Sequence, residues 1–172
     1  MSPTEKATEQ VNIRRATLQD LSAITTIYND AIINTVATFD IEPKSREEQL
    51  TWFNDHSGKY IIMVAEIADK VVGWASLSRW SDRCAYSDTA ECSLYIENGH
   101  RNHGIGRKLV DILMNEARVS GIHTLIVRIT EGNEVSIHMC ESYGFRHIGI
   151  MKEVGRKFGR LQDVHLMQII FE

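Results

Sequence analysis

Cysteine is scarce in this chain: Cys84, Cys92 and Cys140 are all that 172 residues contain. They are odd in number and widely spaced, so no disulfide framework is implied, and no pair has zinc-ligand spacing. The histidines are scattered without an HxxxH pair or a His/Cys cluster, and no metal is expected. A reducing cytoplasm is the expected compartment. No apolar run approaches the length of a transmembrane helix. The opening residues 1–10, MSPTEKATEQ, have no apolar segment of the secretory kind and read as a flexible tail before a domain spanning 11–172. A basic excess is missing too: 19 Lys and Arg stand against 23 Asp and Glu, a formal net charge of -4. Neither nucleic acid nor an anionic membrane is therefore an expected partner.

What is present is an ordinary globular composition, 43% hydrophobic and 24% charged, in a chain long enough for one domain with a sizeable core. Alternation over Val11–Arg15 predicts a first strand. Thr17 with Asp20 opens a helix whose apolar positions Leu21, Ile24, Ile27, Tyr28, Ala31 and Ile32 recur at helical spacing. That helix fades before the β-branched run Thr35–Phe39, and Pro43 prevents its continuation. Ser45 with Glu48 forms a capping box for a second helix that carries Leu50, Trp52 and Phe53 and ends near His56–Gly58. Tyr60–Ile67 and Val71–Leu77 read as a hairpin about the polar turn Ala68–Lys70. Ser78–Asp88 reads as a loop containing Arg79, Trp80, Arg83 and Tyr86, either a binding surface or a solvated connection.

Thr89–Glu97 alternates, with Ala90, Cys92, Leu94 and Ile96 on one face and Glu91, Ser93, Tyr95 and Glu97 on the other. A helix follows over Ile105–Val119, with Ile105, Leu109, Ile112, Leu113, Glu116 and Ala117 along one face, closed by Gly121. His123–Ile129 is strand-like. Asn133 precedes a helix over Glu134–Tyr143, closed by Gly144. Phe145–Val154 and Gln162–Phe171 read as final strands around a polar loop, Gly155–Gly159. The order β α α β β β α β α β β implies one α/β domain with a mixed sheet, antiparallel at first and then crossing over through the Ile105 helix.

Between a strand and a helix lies Arg101-Asn102-His103-Gly104-Ile105-Gly106-Arg107. A glycine turn at a helix N-terminus offers several backbone N–H groups and the positive end of the helix dipole, which suits a phosphate or pyrophosphate. It also serves as an ordinary strand-to-helix turn. No GxxxxGK[ST] is present. The dinucleotide pattern GxGxxG, which belongs near the start of a βαβ unit, lacks its third glycine here, and the unit sits past mid-chain. R-x-x-G-x-G remains.

That pattern resembles the [QR]-x-x-G-x-[GA] signature of the GNAT superfamily of N-acetyltransferases. Asn133, Ser136, Cys140-Glu141 and Gly144-Phe145 are similar to that superfamily's second helical motif. Within it the chain resembles the phosphinothricin and methionine sulfoximine or sulfone acetyltransferases. The resemblance is carried by Ile27-Tyr28-Asn29, Ala37–Asp40, Val72–Ala75, Ala85-Tyr86, Thr89–Glu91, His123–Leu125 and Val154–Arg160, and covers residues 12–171. It implies a single domain with a mostly antiparallel sheet of about seven strands and about four helices.

The resemblance also implies roles. Acetyl-CoA would lay its pyrophosphate on Asn102, His103, Gly104, Ile105, Gly106 and Arg107. Its pantetheine arm would pair with the backbone of Leu94, Tyr95 and Ile96, as an added strand does. Asn133 and Ser142 would line the other side, and Asn133 also suits an N-cap. Glu91 in T-x-E would be the general base; the plain alternative is a surface glutamate on a half-exposed strand. Cys140 departs from the family pattern, which has Tyr or His there, so the source of the leaving thiolate's proton is open. Arg79 and Arg83 suit a carboxylate. Phe39 and the Cys84-Ala85-Tyr86 segment would flank the acceptor, with Trp74 and Trp80 shaping its pocket. Arg156, Lys157 and Arg160 read as a solvated loop. A homodimer is implied. The expected activity is direct acetyl transfer to the α-amine of a small amino acid; protein N-termini or polyamines are the alternative acceptors, and a non-catalytic acyl-CoA sensor is the alternative from another class.

Overall fold

The chain, seen in a computed structural model that describes residues 10–172, builds its elements from local signals that agree with its packing. The expected tail falls outside the described residues except for Gln10. Strand β1, Asn12–Arg15, leads through a short turn into helix α1, Leu21–Asn34. Thr17 and Asp20 form a reciprocal capping box at the turn, the Thr17 N–H donating to the Asp20 carboxylate at 2.7 Å. The stripe of α1 is buried as its spacing implies, with Leu21, Ile24, Ile27, Ala31 and Ile32 all inside. Helix α2, Arg46–Asn54, opens on the second box: Glu48 N–H donates to Ser45 Oγ at 3.2 Å, and Ser45 N–H to Glu48 Oε2 at 2.8 Å. In α2 the buried residue is Gln49, while Leu50 faces solvent.

The hairpin of β2, Ile62–Ile67, and β3, Lys70–Arg79, turns at Ala68 and Asp69, which both have positive φ, as a tight two-residue hairpin requires. Strand β4, Thr89–Ile96, precedes helix α3, Ile105–Val119. In α3, Met114 takes a buried place, and Glu116 lies at the margin of the stripe, where it accepts from Arg15 at 2.9 Å. Strand β5, Thr124–Thr130, helix α4, Glu134–Ser142, and strands β6, Arg146–Lys157, and β7, Arg160–Ile170, complete the chain. The expected Gly155–Gly159 loop is instead strand as far as Lys157, because Gly155, Arg156 and Lys157 pair with Gln162, Leu161 and Arg160. The turn shrinks to Phe158 and Gly159. A polar composition reads as loop, but pairing with β7 decides otherwise.

The sheet has seven strands in the order β1-β2-β3-β4-β5-β7-β6. All neighbours are antiparallel except β4 and β5, which run parallel through the α3 crossover. Helices α1 and α2 cover one face, where Ile24, Ile27, Ile62, Val64 and Trp74 are buried together. Helices α3 and α4 cover the other, whose larger core includes Leu77, Leu109, Leu113, Leu125, Ile137 and Met167.

One polar cluster ties β1 and β2 to the entrance of α1. The Arg14 guanidinium donates to both Asp20 oxygens, at 2.7 and 2.9 Å, and to Glu66 at 2.6 Å. The Arg14 bond holds the Asp20 carboxyl below its ordinary value of 3.8, against the opposing effect of burial. A carboxyl so depressed adds stability above its unfolded pKa and loses it as pH falls through the folded value. Asp20→Asn is therefore expected to destabilise the fold by about 1–3 kcal/mol at neutral pH. Urea titrations across pH should show the gap between variant and parent closing only below pH 3.8.

Candidate active site

β4 and β5 pair at Thr89–Thr124, Ala90–Leu125 and Glu91–Ile126, and there the pairing ends. β4 continues to Ile96 against β3, while β5 continues to Thr130 against β7. The strands part, and a slot opens in the middle of the sheet. Glu97 donates its N–H to Val72 beside β3. Strand alternation then turns the N–H and C=O groups of Leu94 and Cys92 and the N–H of Ile96 away from β3 and into the slot, while the Ile96 carbonyl accepts from Arg101 Nε at 3.2 Å and the backbone of Tyr95 faces β3. Of the expected Leu94-Tyr95-Ile96 segment, the first and last thus offer backbone groups to a ligand.

The slot belongs to a cleft of about 710 Å³ that passes through the sheet. Both side-chain parities line it. On the α3/α4 side stand Cys92, Leu94, Met139, Cys140 and Tyr143; on the α1/α2 side stand Tyr28, Phe39, Asp40, Glu91, Tyr95 and Arg128. A reactant can enter from each face and meet the other in the middle.

On the α3/α4 side the sequence turn becomes a helix entrance. Asn102 and Gly104 have positive φ, 64° and 78°, and Gly104 is the N-cap of α3. Gly104 accepts from Lys108 N–H at 3.2 Å, which leaves the N–H groups of Ile105, Gly106 and Arg107 without intrahelical partners. With the helix dipole, such groups suit an anion. His103 is exposed on the same turn. Arg107 reaches across to Ser142 Oγ at 3.3 Å, and Tyr143 donates to Arg107 O and to Asp111. Ser142 therefore braces the helix entrance, and its neighbour Tyr143 is the residue that reaches the cleft wall. Asn133 caps α4 through Ser136 N–H at 3.3 Å and also lines the cleft. Burial pushes the Cys140 thiol up to about 11 and the Cys92 thiol up to about 12. Both cysteines are thus thiols at neutral pH.

On the α1/α2 side Glu91 is held by Arg128, whose Nε and Nη2 each donate to one carboxylate oxygen at 2.6 Å. Tyr28 donates to Asp40 and bonds Thr38, and burial raises its phenol well above the ordinary range. Burial also lifts Tyr95 to about 12. Thr130 ties the end of β5 to the Val36 carbonyl at 2.6 Å, and Lys157, buried, donates to the Thr38 carbonyl at 2.7 Å. The expectation that Lys157 belongs to a solvated loop is thus corrected: it pins the Thr35–Asp40 segment over the cleft. Phe39 reaches the wall by lying against Gly155, where a Cβ would come within 2.2 Å of its ring.

The remaining expected acceptor residues stand elsewhere. Arg79 ends β3 with its guanidinium 5.2 Å from the Tyr60 ring centroid. Arg83, Cys84, Ala85 and Tyr86 form an exposed helical turn outside the cleft wall. Their loop meets this region through Trp80, whose ring lies 5.7 Å from the Arg128 guanidinium. Trp74 is buried in an aromatic cluster with Tyr28, Trp52 and Tyr95. Arg128, Thr130 and Tyr143 also line the cleft, and no sequence signal singles them out. Arg128 is an exposed-parity position in an apolar strand, a signal too common to single out. Among the described residues there is no His, Cys, Asp or Glu group able to hold a metal, and no helix long and apolar enough to cross a membrane.

Comparison with known proteins follows the same outline. A family model described as an acetyltransferase (GNAT) domain matches residues 13–166. The L-methionine sulfoximine/L-methionine sulfone acetyltransferase of Pseudomonas aeruginosa is 35% identical over 160 residues, 92% of this chain and 93% of that protein. A GNAT superfamily phosphinothricin acetyltransferase from Sinorhizobium meliloti, solved in complex with acetyl-CoA, superposes with a TM-score of 0.89 at 33% identity, covering 93% of this chain and 88% of that one. A ribosomal-protein-alanine N-acetyltransferase from Brucella melitensis gives 0.90 at 38% identity, covering 93% and 99%.

The seat of Phe39 can be tested directly. Gly155→Ala is expected to turn Phe39 out of the cleft wall in a crystal structure of the variant, with β6 and β7 still paired. Urea titration should show a loss of about 1–3 kcal/mol from the overpacking.

Proposed function

The chain belongs to the GNAT acetyltransferase family, and we propose that this enzyme acetylates the α-amine of a small amino acid or analogue such as methionine sulfoximine, methionine sulfone or phosphinothricin. Acetyl-CoA is its co-substrate. The observation that carries the reading is the slot through the sheet, with an anion-binding helix entrance on one face and Glu91 on the other. The roof over the acceptor side, built from Phe39 and Asp40 and pinned by Lys157, suits a small acceptor.

The donor residues fit their task. The N–H groups of Ile105, Gly106 and Arg107 would hold the pyrophosphate. Leu94 and Ile96 would pair with the amide groups of the pantetheine arm as an added strand does. A slot-facing N–H of β4 would polarise the thioester oxygen. Asn133 would line the opposite wall. Bound there, acetyl-CoA supplies an activated acyl group and a thiolate leaving group.

Glu91 would take a proton from the acceptor ammonium, directly or through water. The freed nitrogen lone pair forms the C–N bond as the C–S bond breaks, and the electron pair leaves with sulfur. Cys140, raised to about 11, is a weak donor to a thiolate of ordinary basicity near 8.5. Its thiol is also a poor nucleophile at neutral pH, which argues for direct transfer rather than an acetyl-cysteine intermediate. The proton then comes from water or from the acceptor nitrogen itself. Free, partly exposed thiols suit a reducing cytoplasm. Apolar side chains exposed on β6 and its turn, Ile148, Ile150, Val154 and Phe158, suit a homodimer.

The likeness to the Brucella protein supports a second reading, acetylation of a protein N-terminus. A thiol-release assay with free amino acids, their analogues and alanine-initiated peptides separates the two. Turnover of peptides alone would remove the free amino-acid class. Glu91→Gln is expected to lower kcat by about 10²-fold or more while acetyl-CoA still binds; an unchanged kcat removes Glu91 from the role of base. Cys140→Ala is expected to retain most of the parent kcat, and a collapse of turnover would restore the cysteine to the mechanism.

A further inference from the structure

We infer that Arg128 reads the carboxylate of the acceptor and that Glu91 and Arg128 together recognise the amino-acid zwitterion, exchanging their mutual ion pair for two new ones. The inference rests on the proposed amino-acid acceptor and names the group that selects it.

Arg128 is the one basic residue lining the 710 Å³ cleft among the described residues; Lys44, in the adjoining pocket beyond Asp40, is paired with Asp40 at 3.1 Å. Its guanidinium stands beside Glu91, on the acceptor face, and lies over the Trp80 ring. Arg79 and Arg83, the expected carboxylate clamp, stand outside that wall. The guanidinium presents a planar fork, and the Glu91 carboxylate already demonstrates what the fork accepts: two parallel bonds of 2.6 Å.

This pair is a poor arrangement for a base acting alone, because both Glu91 oxygens are engaged by Arg128. An α-amino acid resolves the conflict. Its ammonium and carboxylate are separated by one carbon, and they are charge-complementary to Glu91 and Arg128 respectively. Insertion of the zwitterion gives Arg128 a carboxylate in place of the one it releases, so its charge stays paired. Glu91, released by Arg128, accepts from the ammonium and takes its proton. An amine without a carboxylate must separate the same pair and leave Arg128 without a partner, which is unfavourable in a partly desolvated cleft. Selection for amino acids thus comes from the pair itself. The Arg128 side chain is 53% exposed and the Glu91 side chain 16%, so the arginine has the freedom to move and the glutamate stays in place.

The test compares methionine sulfone with the corresponding amine that lacks the carboxylate, in the parent enzyme and in Arg128→Gln and Arg128→Lys. CoA thiol release is followed at saturating acetyl-CoA. The ratio of kcat/KM for amino acid over amine should fall roughly 10- to 100-fold in Arg128→Gln, chiefly through the amino-acid KM. The KM for acetyl-CoA should not move. Arg128→Lys should fall between, since an ammonium keeps the charge but not the fork. A ratio unmoved in both variants, with folding and acetyl-CoA binding intact, overturns the role of Arg128. If Arg128→Gln fails to fold, Arg128→Lys decides by the same ratio. A parent enzyme that acetylates the amine or peptides but no α-amino acid overturns the acceptor reading itself, a result visible before any variant is made.

Discussion

The structure depends on one interruption of hydrogen bonding, the point after Glu91 and Ile126 where β4 and β5 stop pairing. Each strand is held on its far side, β4 by β3 and β5 by β7, so closing the gap would require moving those neighbours too. The tie from Thr130 to the Val36 carbonyl fixes the end of β5 as well. Backbone groups of Cys92, Leu94 and Ile96 are left directed into a slot. These residues are half-buried along the cleft, so their free peptide groups are open to a ligand. A sheet that keeps such an edge in its centre can take up a further hydrogen-bonding chain there.

Because the slot passes through the sheet, the division of the core into two faces becomes a division of labour. The face under α3 and α4 supplies the unpartnered N–H groups at the α3 entrance and the thiols of Cys92 and Cys140. The face under α1 and α2 supplies the only carboxylates in the wall among the described residues, Glu91 and Asp40, and its one guanidinium, Arg128. Residues adjacent in β4, such as Glu91 and Cys92, therefore face opposite sides of the cleft although they are neighbours in the chain. Donor chemistry and acceptor selection can vary separately on such a scaffold. The α3 entrance rests on backbone geometry, whereas the acceptor side is defined by individual side chains.

The sequence made much of this legible. The Ser45–Glu48 capping box, the Thr17 N-cap with Asp20, the α1 stripe, the bounds of α3 and the order of elements follow from contacts between residues a few positions apart, and all stand in the structure. The alternation of β4 correctly assigned Glu91 and Cys92 to opposite faces. The polar segment Gly155–Lys157 was misread as loop because its pairing with β7 outweighs its composition. Lys157 was misread with it, since a lysine buried beneath another loop carries no local signature.

The sequence by itself determined the elements, their order and the turn that opens α3, because periodicity, caps and glycine placement act over a few residues of chain. Tertiary structure alone decided where β4 and β5 part, that Arg128 grips Glu91 across 37 residues, and that Arg79 and Arg83 lie outside the cleft. Those are outcomes of strand register and of competition among partners distant in the chain, and no local pattern encodes which partner wins.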